Sequence, residues 1–171
     1  MSGLIGLVGS KSGVIGQTDF VTPHFEAYGA STRAYTGDAS SYLAEMPNEK
    51  FDSHGWYDDT TAESEFKPQE AGIYLIGGKV GGYAQSGVDN MIKLGINIMK
   101  NASTVEADGF FDGRSNDFYN ITVSAHCLVS FNGTSDYVWL RVTPWAQSSG
   151  NFVMSGGASN FWGFKVYNLK G

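Results

Sequence analysis

Apolar and polar residues alternate with a period of two in two segments of the second half of the chain. In segment 92–98 the apolar side chains occupy the even positions, and in segment 119–131 they occupy the odd positions. A two-residue period places alternate side chains on opposite faces of an extended backbone, so both segments are predicted to be β-strands. Segments 73–76, 137–143 and 161–167 add further apolar runs of strand length.

Turn-forming residues separate these strands. The strongest signal is Asn132-Gly133, which predicts a two-residue type I′ hairpin turn because both residues tolerate positive φ. Segment 29–50 follows neither period and is predicted to be a surface excursion with a short helical turn around Ser41–Met46. Short strands with turns between them, and no persuasive helical stretch, indicate an all-β sandwich or barrel.

Length, composition and charge narrow the possible classes. The 171 residues are expected to form one domain, and 23 Gly, 14% aromatic and only 16% charged residues suit a β-rich protein partly covered by neighbours. The net charge of −6 and the scattered Lys and Arg argue against a nucleic-acid partner. No apolar run approaches the roughly 20 residues of a membrane span, and no secretory signal is expected.

Catalytic patterns are weak. His24, His54 and His126 share no metal-ligand spacing. His126 and Cys127 are neighbours on one strand and point to opposite faces, so they do not form a nucleophile pair. Cys127 is the only cysteine and is predicted to be a small buried residue. We therefore expect no enzyme, no catalytic residue and no cofactor.

Two acidic segments leave alternatives open. Five carboxylates between residues 52 and 65 offer a pair that could flank a glycosidic bond, although solvated charge is the ordinary explanation. Calcium is the second alternative, because it prefers oxygen ligands. Its candidate ligands are Asp52, Asp58 and Asp59 in one loop and Asp108, Asp112, Asn116 and Asp117 in another.

A series of landmarks from Phe51 onward resembles the globular head of complement one-q. The landmarks are Phe51-Asp52, Trp56-Tyr57-Asp58, Phe66-Lys67-Pro68, Gly72-Ile73-Tyr74, Lys93–Asn101, Leu128–Leu140 and Ser159–Phe164. The resemblance covers roughly residues 24–170 and implies a ten-stranded jelly-roll β-sandwich, shared with tumour necrosis factor, that forms a tight homotrimer.

Closely spaced aromatic residues support the implied trimer, because a small sandwich cannot easily hide all of them inside. The aromatic positions expected in the core or the trimer seam are Tyr74, Phe161, Phe164 and Tyr167. At Gly72 and Gly163 a side chain is expected to crowd neighbouring strands. The alternative is that all these rings lie within the sandwich core.

The resembling region is preceded by a repeated pattern, since SGLIG at 2–6 returns as SGVIG at 12–16. A phosphate-binding loop does not fit, because Ser10 separates Gly9 from Lys11. Glycine permits close backbone approach, and small apolar side chains fill shallow pockets. Residues 1–23 are therefore predicted to be an extended anchoring arm, with 24–171 as the jelly-roll domain. The docking residues of this arm are expected to be Leu4, Ile5, Val14 and Ile15.

A glycine-rich, aromatic-rich chain of this kind is similar to the trimeric jelly rolls of bacteriophage particles. The resemblance implies a capsid decoration or short spike on the virion surface, made in the host cytoplasm, with capsid or tail proteins as partners. The alternative is a tail-fibre tip or adhesin that recognises a host-surface glycan or protein, because exposed rings stack on sugars and anchor interfaces. Candidate rings for that role are Tyr35, Tyr42, Trp56, Tyr57 and Trp145.

Overall fold

The computed structural model describes residues 22–29, 32–60, 63–85, 90–113 and 118–168. The predicted arm residues Leu4, Ile5, Val14 and Ile15 lie outside this part of the chain. In chain order the strands are β1 (His24–Tyr28), β2 (Thr32–Thr36), β3 (Tyr42–Leu43), β4 (Asn48–Asp52), β5 (Tyr57–Asp58), β6 (Glu65–Phe66), β7 (Ala71–Ala84), β8 (Met91–Lys100), β9 (Thr104–Asp112), β10 (Asn120–Asn132), β11 (Val138–Ala146), β12 (Asn151–Ser155) and β13 (Asn160–Tyr167).

The strands form two antiparallel sheets, as predicted for an all-β sandwich. The seven-stranded sheet runs β2-β12-β7-β13-β1-β4, with β10 paired to the other side of β7. The six-stranded sheet runs β5-β6-β11-β8-β9, with β3 also paired to β11. Within the described residues there are thirteen strand segments where ten strands were expected, and three of them, β3, β5 and β6, are only two residues long.

The core lies between the two sheets and follows the alternation seen in the sequence. On β10 the odd positions from Ile121 to Phe131 face inward and the even positions are exposed. Phe25 stacks on Phe66 with 4.2 Å between ring centroids, and Phe161 meets Phe25 edge-on at 5.1 Å. Aromatic packing of this kind adds to the free energy gained by burying apolar area.

The prediction of a surface excursion with a helical turn at Ser41–Met46 is wrong. This segment contains strand β3, and Ala44 and Met46 are fully buried. Backbone groups of the segment are held by distant partners, since the Ala44 N–H donates to the Leu140 oxygen at 2.8 Å and the Met46 N–H donates to Ser64 Oγ at 3.0 Å. These long-range contacts, rather than a local period, specify the conformation.

The prediction of a two-residue hairpin at Asn132-Gly133 is also wrong. Strands β10 and β11 belong to different sheets, and five residues connect Asn132 to Val138. Gly133 does adopt a positive φ of 73°. Asn132 Oδ1 accepts hydrogen bonds from the backbone N–H groups of Thr134 and Ser135, at 2.9 and 3.0 Å. An asparagine side chain therefore organises a wider loop that crosses between sheets.

Asp136 ties this crossing loop to the rest of the sandwich. Its carboxylate accepts hydrogen bonds from the Asn132 N–H at 2.9 Å and from Asn101 Nδ2 at 3.2 Å, and it forms an ion pair with Lys100 at 3.1 Å. Burial alone would raise the pKa of the Asp136 carboxyl. The hydrogen bonds from Asn101, Asn132 and Lys100, with the charge of Lys100, outweigh burial and hold that pKa below its ordinary value.

Candidate functional site

The outer face of the seven-stranded sheet carries an apolar surface built from residues of four strands. We call this surface the sheet face, and its residues are Phe51, Leu75, Leu128, Trp162 and Phe164. Strand register aligns His24, Phe164, Leu75 and Leu128 in one row across β1, β13, β7 and β10. A second row, one step along the strands, aligns Phe51, Glu26 and Trp162. Residues in such rows share one face because side chains alternate along each strand.

Glycine shapes the middle of the sheet face. Gly77 lies opposite Trp162 in the register, and a Cβ atom added to Gly77 would overlap the indole ring. The ring of Trp162 therefore lies flat on bare backbone, with the ring of Phe164 stacked beside it at 6.2 Å. These side chains border a groove of about 800 Å³, whose lining residues include Phe51, Trp162, Phe164 and Val166.

The sheet face is unusually exposed for apolar side chains of a folded domain. Leu128 is 62% exposed, Phe164 41% and Phe51 40%. Isolated exposed apolar residues are common on protein surfaces, but a contiguous patch marks a contact surface. The physical role available to the sheet face is therefore association with another apolar surface.

A second apolar group lies beside β9, the edge strand of the six-stranded sheet, and includes residues of β9, of β7 in the seven-stranded sheet and of the segment before β10. We call it the edge cluster, and its residues are Tyr83, Phe111, Phe118 and Tyr119. Phe111 meets Phe118 edge-on at 4.8 Å, and Tyr119 stacks on Tyr83 at 5.8 Å. Tyr119 is 52% exposed and Phe111 37%. The chain thus presents one apolar face and, separately, one apolar edge.

The four aromatic residues singled out from the sequence lie in two different environments. Tyr74 and Phe161 are fully buried in the sandwich core. The Tyr74 hydroxyl donates a hydrogen bond to the backbone carbonyl oxygen of Glu70 at 3.0 Å. Phe164 lies on the sheet face, and Tyr167 is 56% exposed at the end of β13. Phe161 and Phe164 have opposite parity on β13, so strand alternation places their rings on opposite faces.

The two glycines singled out from the sequence are crowded. A Cβ atom on Gly72 would stand 2.7 Å from the Tyr167 oxygen. A Cβ atom on Gly163 would stand 2.6 Å from Ile76 Cδ1 and 2.9 Å from Phe25 Cε1. All three distances are shorter than ordinary van der Waals contacts, so the expected crowding is confirmed.

Two of the rings predicted to bind glycans are not available at the surface. Tyr57 is buried and its hydroxyl donates to the Met46 oxygen at 2.8 Å, while Tyr35 is buried and accepts the Glu45 N–H at 3.0 Å. Tyr42 and Trp56 are half-buried. Trp145 is 41% exposed, on the six-stranded sheet. The rings of Tyr35 and Tyr57 are unavailable because strands β2 and β5 turn them inward.

The carboxylates Asp52 and Asp58 of the first acidic segment accept hydrogen bonds from nearby backbone N–H groups. Asp52 accepts the His54 N–H at 3.0 Å and the Tyr57 N–H at 2.6 Å, and Asp58 accepts the Thr60 N–H at 2.9 Å. Within the described ranges no three His, Cys, Asp or Glu side chains are grouped as around a metal ion. Asn116 and Asp117 lie outside those ranges, so the calcium alternative stays a prediction.

Cys127 is half-buried on the inward side of β10. Burial, with a smaller effect from the charge of Glu106, raises the pKa of its thiol to about 11. The thiol is therefore protonated at neutral pH, which is the opposite of what a nucleophilic cysteine requires.

Among the described residues no helix has the length and hydropathy of a membrane span.

Solved structures of other proteins share this architecture, although sequence comparisons find no relative. No protein-family model matches the sequence, and no curated relative matches it. Mouse APRIL at pH 5.0 superposes with a TM-score of 0.61 at 7% identity, over 85% of this chain and 99% of that one. Eiger TNF from S. frugiperda superposes with a TM-score of 0.58 at 10% identity, over 88% of this chain and 95% of that one. Likeness at such low identity shows the fold alone, and the fold is the predicted TNF-like jelly roll.

Proposed function

We propose that this chain is a structural subunit that associates with copies of itself through its sheet face and its edge cluster. The observation that carries the proposal is the presence of two separate apolar surfaces on one protomer. A face that packs on a different surface of the next copy makes a head-to-tail contact, and such contacts form a closed ring when the rotation allows. The family resemblance found in the sequence favours a ring of three.

The trimer is proposed to serve as a capsid decoration or short spike of a bacteriophage. The support is the resemblance to phage jelly rolls, together with the low charge and high glycine content of the chain. Capsid or tail proteins are the proposed partners, and the virion surface is the proposed location after synthesis in the host cytoplasm. The repeated SGLIG and SGVIG pattern of the arm supports docking through Leu4, Ile5, Val14 and Ile15.

Light scattering tests the assembly and the arm together. The full chain and a chain lacking residues 1–16 are both expected to have the mass of a trimer, because the two apolar surfaces lie within the described jelly roll. Only the full chain is expected to co-sediment with the bacteriophage particle that it is proposed to decorate. Monomers in both samples would refute the proposed seam, and retained co-sedimentation of the truncated chain would refute the arm.

A second candidate function is a fibre tip or adhesin. The observation that favours it is the exposure of Phe110 and Trp145, 63% and 41%, on the outer face of the six-stranded sheet. The sheet face belongs to the seven-stranded sheet, on the opposite side of the sandwich. Self-association through the sheet face would therefore leave the outer face of the six-stranded sheet exposed to solvent.

A further inference from the structure

The outer face of the six-stranded sheet combines exposed rings with polar side chains around a glycine. Strand register places Thr143, Gly95 and Phe110 in one row across β11, β8 and β9. The next row places Trp145 beside Lys93, and the row on the other side places Arg141 beside Asn97 and Asp108. Gly95 therefore lies in the middle one of three adjacent rows.

Gly95 leaves a shallow depression in this face. A Cβ atom added there would have Thr143 atoms at 3.8 Å as its nearest neighbours. Unlike Gly77, this glycine has no ring lying on it. Phe110 and Trp145 stand on either side of the depression, two strands and one two-residue step apart, which is about 12 Å. The spacing suits an extended ligand rather than a single small ring.

Polar groups surround the depression in fixed positions. Arg141 Nε donates to Asn97 Oδ1 at 3.0 Å, so the planar guanidinium and the amide orient each other. Ser41 Oγ and Thr143 Oγ1 are hydrogen-bonded at 3.0 Å. Lys93 Nζ lies 5.3 Å from the centroid of the Phe110 ring, a cation–π arrangement that holds both side chains.

Charge on this face has both signs. Lys93 and Arg141 supply positive charge. Asp112, in the row of Lys93, and Asp108, in the row of Arg141, supply negative charge. A strongly charged partner would meet like charge in part of the patch, and like-charge contacts are costly. Charge complementarity therefore favours a neutral ligand with many hydrogen-bonding groups.

We propose that this patch, formed by Phe110, Gly95, Thr143, Trp145 and Arg141 with Asn97, binds a neutral oligosaccharide. A sugar ring has an apolar C–H face that packs on an aromatic ring and a rim of hydroxyls that bond to amide, guanidinium and hydroxyl groups. The patch offers a ring at each end, Thr143 beside Gly95 in the row of Phe110, and the Arg141–Asn97 pair in the adjoining row. The inference rests on the second candidate function and names the class of ligand and its site.

Binding is tested with four neutral hexasaccharides as probes, built of β-1,4-linked N-acetylglucosamine, β-1,4-linked glucose, α-1,4-linked glucose and α-linked mannose. Isothermal titration measures the affinity of the full chain for each. The Phe110→Ala and Trp145→Ala variants are each expected to bind at least about tenfold more weakly, because each loses one stacking ring. Tyr28→Ala is the matched control, since Tyr28 is 43% exposed but lies on the other sheet.

Light scattering and circular dichroism on the same samples separate the possible failures. Failure of all four probes to bind the folded chain would overturn the inference, as would equal binding by the Phe110→Ala, Trp145→Ala double variant. A trimer that binds no probe would leave the proposed self-association intact. A monomer that binds a probe, and loses binding in the double variant, would support the inference and refute the trimer.

Discussion

The most direct prediction concerns Leu128, whose side chain lies on the sheet face and is 62% exposed in the protomer. Leu128 pairs with Leu75 across β10 and β7, at one end of the row that continues through Phe164 to His24. Leu128→Lys is expected to abolish the trimer without unfolding the protomer. The reason is that the protomer leaves most of this side chain in water, whereas the proposed trimer buries it.

The magnitude follows from the exposed fraction. Burying a whole leucine side chain is worth roughly 1.5–3 kcal/mol, so the fraction left exposed corresponds to about 1–2 kcal/mol per protomer. Three equivalent seams raise the loss to about 3–6 kcal/mol per trimer, and burying three ammonium groups adds to it. Since about 1.4 kcal/mol is a factor of ten, the association constant is expected to fall at least about a hundredfold.

Sedimentation velocity over a range of protein concentrations measures the association, and thermal unfolding followed by circular dichroism at a concentration where the protein is monomeric measures the protomer. The matched control is Thr36→Lys, which adds the same charge at an exposed position on β2, outside the sheet face and the edge cluster. A Leu128→Lys variant that remains trimeric at the same concentrations as the unchanged chain would refute the reasoning.

Three further predictions test the packing and the loop network. Gly77→Ala is expected to displace the Trp162 ring, at a cost of about 1–3 kcal/mol, and an unchanged tryptophan emission spectrum would contradict that placement. Tyr74→Asp puts a carboxylate into the core and is expected to cost more than about 4 kcal/mol, with loss of fold or trimer, whereas Tyr74→Phe removes only one hydrogen bond and is expected to cost about 1 kcal/mol in denaturant melts. Because the pKa of Asp136 is lowered in the folded state, its stabilising effect is present above the ordinary carboxyl pKa and lost as the pH falls through the lowered one; acid titration below about pH 4 is therefore expected to destabilise the unchanged chain more steeply than Asp136→Asn, and parallel curves would count against the network.

The two-residue period was enough to predict the class of fold. On β10 it identified the inward positions, because a strand with one buried face must alternate. The crowded positions Gly72 and Gly163 were also recognisable, since the family resemblance supplied a frame for them. The alternation on β10 depends on neighbours within one strand, where the sequence order and the spatial order coincide.

Local patterns failed where distant residues set the conformation. Asn132-Gly133 has the sequence of a tight turn, but the Asp136 carboxylate and the Asn132 side chain hold a wider crossing between sheets. Ala44 and Met46 are buried without any period, because their partners are Leu140 and Ser64. Aromatic character likewise did not reveal that Tyr35 and Tyr57 point inward.

The candidate site itself could be decided only by the tertiary structure. The composition already indicated more aromatic residues than a small sandwich hides, but it could not say which of them lie outside. The sheet face joins Phe51, Leu75, Leu128 and Phe164 from four strands that are far apart along the chain. Strand order and register bring them into adjacent rows, and register is a property of pairing between strands rather than of any one segment. The sequence by itself therefore determined the strands and the class of fold, and the pairing of the strands determined the surface.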